Sequence, residues 1–145
     1  MVNIFAVALL YSGDTVLLAR RFNADFGNGL YHLVGGKVEQ GETARHAVSR
    51  EVLEETGLDI LEDQFTLVHT LHRKGTATEL IVLCFAADVS SVHAPRNMEP
   101  DKHDDMRFFL VDQLPENMIP AHHQILQCIQ QNILYSEHGW YKDTK

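Results

Sequence analysis

The stretch Gly35-Gly36-Lys37-Val38-Glu39-Gln40-Gly41-Glu42 runs straight into Thr43-Ala44-Arg45-His46-Ala47-Val48-Ser49-Arg50-Glu51-Val52-Leu53-Glu54-Glu55-Thr56-Gly57-Leu58. From Thr43 to Thr56 there is neither Pro nor Gly. Thr43 is a suitable N-cap and Gly57 a suitable C-cap, which predicts a helix of about four turns. On a helical wheel Glu51 and Glu55 lie one turn apart and point the same way. They fall within the arc of Ala44, Ala47, Val48 and Val52, with Glu54 at its edge, whereas a solvated helix sets its acids opposite its small apolar residues. Like-charge neighbours cost roughly 0.2–0.5 kcal/mol each, and acids in the C-terminal half oppose the helix dipole by about 0.3–1 kcal/mol. Such a helix needs a compensating partner. Clustered carboxylate oxygens are what Mg²⁺ and Mn²⁺ select. The glycines upstream let backbone approach a ligand closely, and their loop ends on one more carboxylate, Glu42.

Outward from this stretch the chain alternates apolar runs with turn signals. Val2 to Tyr11 and Thr15 to Arg21 read as a hairpin joined at Gly13-Asp14. Phe22 to Gly29 reads as a loop, and Leu30 to Val34 as a brief strand. Phe65 to Arg73 and Glu79 to Val89 form two further strands joined through Lys74-Gly75-Thr76. Ser90 to Asp105, with Pro95 and Pro100, is a polar loop, and Met106 to Val111 is another strand. Pro120 to Tyr135 reads as a second helix, with Ile125, Leu126, Ile129, Ile133 and Leu134 at core spacing. The tail from Ser136 carries no assignment, although Trp140 and Tyr141 suit covering the core or a partner chain. Mixed strands with two separated helices define an α+β or mixed-sheet α/β class.

With 145 residues, 45% hydrophobic and 22% charged, the chain has the length and composition of one globular domain, 1–145. Against 20 Asp+Glu stand 12 Lys+Arg, a formal charge of -8. That balance argues against a nucleic-acid partner, which a basic face would serve. No segment reaches the roughly 18 apolar residues of a membrane span, so no membrane partner is expected. Met1 to Leu10 is apolar but has no basic flank or small-residue cleavage site; it reads as a strand rather than a signal peptide, and the expected location is cytoplasmic. Cys84 and Cys128 stand apart in no paired motif, as small hydrophobes of a reducing compartment, with a single disulfide left open. His69 and His72, three apart on a strand, face opposite sides and make a poor chelate.

Gly36, Glu42, Arg50, Glu51, Val52, Glu54, Glu55, Gly57 and Leu58 satisfy G-x5-E-x7-R-E-U-x-E-E-x-G-U, where U is aliphatic. This pattern resembles the Nudix box and agrees at every position; at about 7% usage per residue type, chance agreement of its fixed positions is roughly 10⁻⁸. The strand and helix order is also similar to the Nudix α/β/α sandwich with a mixed sheet over nearly the whole chain. The resemblance implies hydrolysis within the phosphate chain of a nucleoside diphosphate linked to another group, with Mg²⁺ or Mn²⁺. It implies Glu51, Glu54 and Glu55 as metal-binding carboxylates, with the Gly35 carbonyl as a backbone ligand. Arg50 would orient these carboxylates and Glu42 would complete the network. Lys37 would contact phosphate, its alternative being a solvated loop lysine.

Two further places resemble the MutT-type branch. Glu99, in Asn97-Met98-Glu99-Pro100, would be an extra ligand or general base, its alternative an acid in a polar turn; the catalytic base would be Glu54, Glu55 or Glu99. Arg20-Arg21 resembles the basic pair that meets nucleotide, and since alternation sends the two apart, Arg21 is the one chosen. His122, at the start of the last helix, would touch the base, its alternative being a residue that flanks the helix. Other features depart from the branches of the family. Val34 stands where a Pro commonly precedes the double glycine, and Ile119-Pro120-Ala121-His122-His123 lacks the Asn that reads guanine. His72-Arg73-Lys74-Gly75 lacks the Pro of ADP-ribose hydrolases, and the Tyr of dinucleoside-polyphosphate hydrolases is absent. A nucleoside triphosphate pyrophosphohydrolase acting on a small nucleotide is therefore the first expectation. Hydrolysis of ADP-ribose, a nucleotide-sugar, a dinucleotide or a pterin triphosphate is the alternative. A nucleotide-sensing module is a third reading, although such modules usually lose box glutamates that this chain keeps. Homodimers are common in the family.

Overall fold

Both faces of β1 (Val2–Ser12) are covered, which is why its apolar residues run without a polar break. Ala6, Ala8 and Leu10 pack with Ala47, Val48 and Val52 of α1 (Ala44–Thr56) in one core. Val7 and Leu9 point the other way, into a second core with Ala121, Ile125 and Leu126 of α2 (Pro120–Gln130). The computed structural model of the chain describes residues 1–140, so Tyr141 lies outside the described residues. Among the described residues no helix is long and apolar enough to cross a membrane.

β2 (Thr15–Arg21) returns antiparallel to β1, but the two strands pair only at Tyr11↔Val16 and Ser12↔Thr15 before they part. β2 pairs with β3 (Tyr31–His32) at Ala19 and Arg20, and with β7 (His103–Leu110) along its whole length from Thr15 to Arg21. β1 pairs with β4 (Gly35–Lys37) and, in parallel, with β6 (Glu79–Asp88). β5 (Thr66–Lys74) continues the sheet antiparallel to β6, and β8 (Tyr135–His138) closes the edge parallel to β5. The result is an eight-stranded mixed sheet between two helices, the sandwich that the motif implied.

Helix α1 is bounded as its sequence signals require. Thr43 Oγ1 accepts the His46 amide at 3.0 Å, and Gly57, at φ 74, donates its amide to the Leu53 carbonyl. Elsewhere the structure corrects the reading of the sequence. The single strand expected over Leu30 to Val34 is split, because the chain crosses from β2 to β1 there and Ala8 N–H bonds the Val34 carbonyl at 2.8 Å. β7 begins at His103, inside the expected polar loop, since β2 offers paired backbone as far as Arg21. α2 ends at Gln130, not at Tyr135. Asn132 turns left-handed at φ 59, and the amides of Asn132 and Ile133 bond the carbonyls of Ile129 and Cys128, a Schellman stop. Ile133 and Leu134, expected in the core, are exposed, and the chain continues into β8.

Buried His69 explains that turn: its ring nitrogens lie 2.8 Å from the Ile133 carbonyl and 2.8 Å from Ser136 Oγ, tying β8 to β5. His72 lies elsewhere, against the ring of Trp140, whose Nε1 donates to the His72 carbonyl at 2.9 Å. Trp140 thus covers the sheet edge. Cys84 and Cys128 are both free thiols.

Candidate active site and metal centre

Where β1 and β2 part, an open cavity of about 460 Å³ forms, walled by Arg21, Phe22, His32, Gly35, Glu51, Glu54, Glu55, Glu99 and His103 among others. α1 lays its carboxylates along one wall. Glu55 is buried, with its Oε2 accepting the Gly35 amide at 3.1 Å. Burial holds its carboxyl well above the usual range, and the charges of Glu51 and Glu99 push the same way. Glu51 lies flat on Gly36, where any Cβ would collide with its carboxylate. Glu54, one position from Glu55, is half exposed at the cavity wall.

Arg50 fastens this row from behind. Its Nη2 and Nε grip Glu42 at 2.7 and 3.2 Å, while Nη1 reaches Glu51 at 3.0 Å and Glu54 at 3.5 Å. The fork matches the two oxygens of Glu42, a geometry that an ammonium cannot supply. The guanidinium and the Glu39 amide together hold the Glu42 carboxyl down at about 2. The structure therefore brings Glu42, Arg50, Glu51 and Glu54 into one network.

Glu99 reaches the cavity from the loop before β7. That loop docks on the end of α1, where the amides of Arg96 and Met98 bond the carbonyls of Thr56 and Glu55 at 2.8 and 3.1 Å. Of the basic pair, Arg20 turns to Asp104 at 2.7 Å and Arg21 lines the cavity, stacked over Phe26 at 4.7 Å. Lys37 is brought to a different place: its side chain lies with Glu39 and Glu42 on a separate depression, while its carbonyl accepts from Arg50. His122 stands behind the cavity wall, its Nδ1 accepting the Leu33 amide at 3.0 Å and its ring 6.1 Å from that of His32. Burial pushes both His122 and His32 down to about 3, so both are neutral.

Two wall residues, His32 and His103, escaped the reading of the sequence. His103 lay inside an apparent polar loop, and only the pairing of β7 turns it inward. The one local hint is its spacing of four from Glu99, and the two are bonded through backbone at 3.0 Å. His32 Nε2 and His103 Nδ1 are buried with no hydrogen-bond partner. The donors fit a divalent ion. Glu55, Glu99 and His103 each offer an atom within 4.8 Å of the others, and a buried carboxylate facing two more acids is short of positive charge.

The NUDIX domain profile matches residues 2–128 of the chain. A MutT NUDIX hydrolase from Burkholderia pseudomallei superposes with a TM-score of 0.79 at 28% identity, covering 88% of this chain and 97% of that one. The oxidized purine nucleoside triphosphate hydrolase of Mus musculus is 34% identical over 78% of this chain and 69% of its own length. The NAD-capped RNA hydrolase NudC of Stutzerimonas stutzeri is 32% identical over 82% of this chain, which spans only 40% of that protein. The chain belongs to the NUDIX domain family, and each of these relatives is named as a hydrolase.

Proposed function

We propose that the chain, as a single domain over 1–145, is a metal-dependent pyrophosphohydrolase that cleaves a nucleoside triphosphate to monophosphate and pyrophosphate. One observation carries the reading: Glu51, Glu54 and Glu55 from a single helix meet Glu99 and Arg21 on the wall of one open cavity. The similarity to the mouse enzyme and to the Burkholderia MutT protein supports a triphosphate substrate. Glu51, Glu54 and Glu55, with the Gly35 carbonyl, would hold Mg²⁺ or Mn²⁺. Held by these residues, such an ion would supply positive charge against the phosphates and lower the pKa of a bound water.

The chain's own residues do the rest. Arg50, braced on Glu42, keeps Glu51 and Glu54 in place, so the metal-binding row does not spread under its own repulsion. Arg21 meets the substrate's negative charge from the opposite wall. Among the described residues the Glu54 carboxylate has one polar side-chain contact, at 3.5 Å to Arg50, and it takes the proton of the attacking water. Glu99 adds a further ligand. Lys37, beside a separate depression, adds positive charge at long range, and His122 fixes the Leu33 amide behind the cavity wall. A second reading, cleavage of a diphosphate-linked compound, is favoured by the similarity to NudC and by a cavity open enough for a large leaving group.

The test is a hydrolysis panel with Mg²⁺ and then Mn²⁺, covering common and oxidised nucleoside triphosphates, ADP-ribose, a dinucleoside polyphosphate and a nucleotide-sugar. The expected outcome is preference for one triphosphate, lost by about 10²–10⁴-fold in Glu54→Gln. Full metal-dependent turnover in that variant would sink the assignment. Activity on the diphosphate-linked compounds alone would move the substrate to the second reading.

A further inference from the structure

We infer that the metal site of this chain contains a nitrogen donor, His103, whose Nε2 faces Glu55 and Glu99 and whose ring packs against His32. The inference rests on the reading of the cavity as a divalent-metal site, and it adds a ligand of another chemical kind. Three elements supply the donors: α1 gives Glu55, the docked loop gives Glu99, and the first residue of β7 gives His103.

The His103 side chain is only 8% exposed, yet neither ring nitrogen makes a hydrogen bond. Nε2 lies 3.7 Å from Glu55 Oε1, too far for a hydrogen bond. Two ligands each about 2.1 Å from a shared ion stand roughly 3–4 Å apart, so the spacing suits an ion between them. The buried ring nitrogen without a partner is Nδ1; Nε2 faces Glu55 Oε1 across the 3.7 Å gap.

The position of the His32 proton follows from its partner. His32 Nδ1 is 2.7 Å from the Leu33 carbonyl, which can only accept, so Nδ1 carries the hydrogen and Nε2 keeps a lone pair. Leu33 also donates its own amide, in the preceding peptide, to His122 Nδ1, so the backbone on either side of its Cα is held. The rings of His32 and His103 are neighbours, with centroids 5.1 Å apart, and each bears one orphaned nitrogen toward its surroundings. His32 Nε2 and His103 Nδ1 make no hydrogen bond with one another, so His32 packs against the His103 ring without fixing its tautomer; ligation of a cation through Nε2 requires the hydrogen to sit on Nδ1.

Imidazole suits transition ions, whereas Mg²⁺ favours oxygen alone. The site should therefore hold Mn²⁺ more tightly than Mg²⁺, and His103 should account for much of the difference. The experiment binds Mn²⁺ alone to the full chain, without substrate, and reads nitrogen coupling to the ion by electron spin-echo spectroscopy. Titration with Mn²⁺ and with Mg²⁺ accompanies it. Expected are ¹⁴N coupling in the wild type and its loss in His103→Gln. Mn²⁺ affinity should fall about 10- to 100-fold while Mg²⁺ affinity changes far less, and circular dichroism should show the variant folded.

Bound Mn²⁺ without ¹⁴N coupling, or coupling that persists in His103→Gln, would overturn the nitrogen ligand and leave the metal site standing. Failure of Mn²⁺ to bind at all would instead overturn the metal site itself. Should His103→Gln not fold, ¹H–¹⁵N correlation of the wild-type imidazoles decides the point. Hydrogen on His103 Nδ1 supports the inference, and hydrogen on Nε2 overturns it.

Discussion

Arg50 is the residue on which the carboxylate row depends. A guanidinium can bond Glu42 through two nitrogens while a third reaches Glu51 and Glu54, and each acid it holds would otherwise repel the next. Arg50→Lys keeps the charge but not the fork. Steady-state kinetics should show kcat/KM reduced by about 10- to 100-fold in this variant, with the helix still formed. An unchanged kcat/KM would mean that charge alone suffices. The wheel reading had placed Glu55 among small apolar residues, and the structure buries it there beside Ala47, Val48 and Val52. That burial is what suits it to the proposed metal site, since an acid away from water and facing like charges is relieved by a cation.

At the scale of elements, α1 and α2 end by the same device with different residues. Gly57 stops α1 at a left-handed position that costs glycine nothing, and Asn132 stops α2 at φ 59. Asn132→Ala should lower stability by about 1 kcal/mol and Asn132→Gly should leave it nearly unchanged, measured by urea unfolding. Equal losses in both would remove the helix stop as the explanation. The apolar spacing of Ile129, Ile133 and Leu134 suggested that α2 ran on, but periodicity cannot register a stop that rests on one asparagine. The short β8 was illegible for another reason: its four residues are held by His69, far away in sequence.

At the scale of the whole molecule, charge decides how the fold responds to metal and to pH. Thermal unfolding should shift to higher temperature with Mn²⁺ or Mg²⁺, because an ion that binds only the folded state stabilises it by mass action. In Glu55→Gln the shift should be lost; a shift of the same size there would place the ion elsewhere. The buried pair His32 and His122 sets an acid limit. Both sit at about 3 in the folded chain against an ordinary value of 6.5, so their contribution is complete above pH 6.5. As pH falls below that value only the unfolded chain takes up their protons, and stability is lost down to about pH 3. Between about pH 5.5 and 4, His122→Gln should unfold with a pH slope flatter than wild type by up to about 1.4 kcal/mol per pH unit. Equal slopes would mean that His122 is protonated in the fold.

The residues between Gly35 and Leu58 determined a great deal alone: α1 and both its caps, and three carboxylates on or beside one face of a helix; the Glu42–Arg50 pair was implied by the resemblance to the family. The helix, its caps and its carboxylates depend on neighbours a few positions away, which helical periodicity and capping chemistry express directly. The hairpin of β1 and β2 is local in the same sense. Only the tertiary structure decided that Glu99 and His103 meet Glu55, that His32 and His122 bond the carbonyl and the amide of Leu33, that Lys37 stands outside the cavity, and that β8 closes the sheet. Each of these rests on strand pairing or loop docking between distant segments, where the partner's position, and not the residue's own neighbours, sets which way a side chain points.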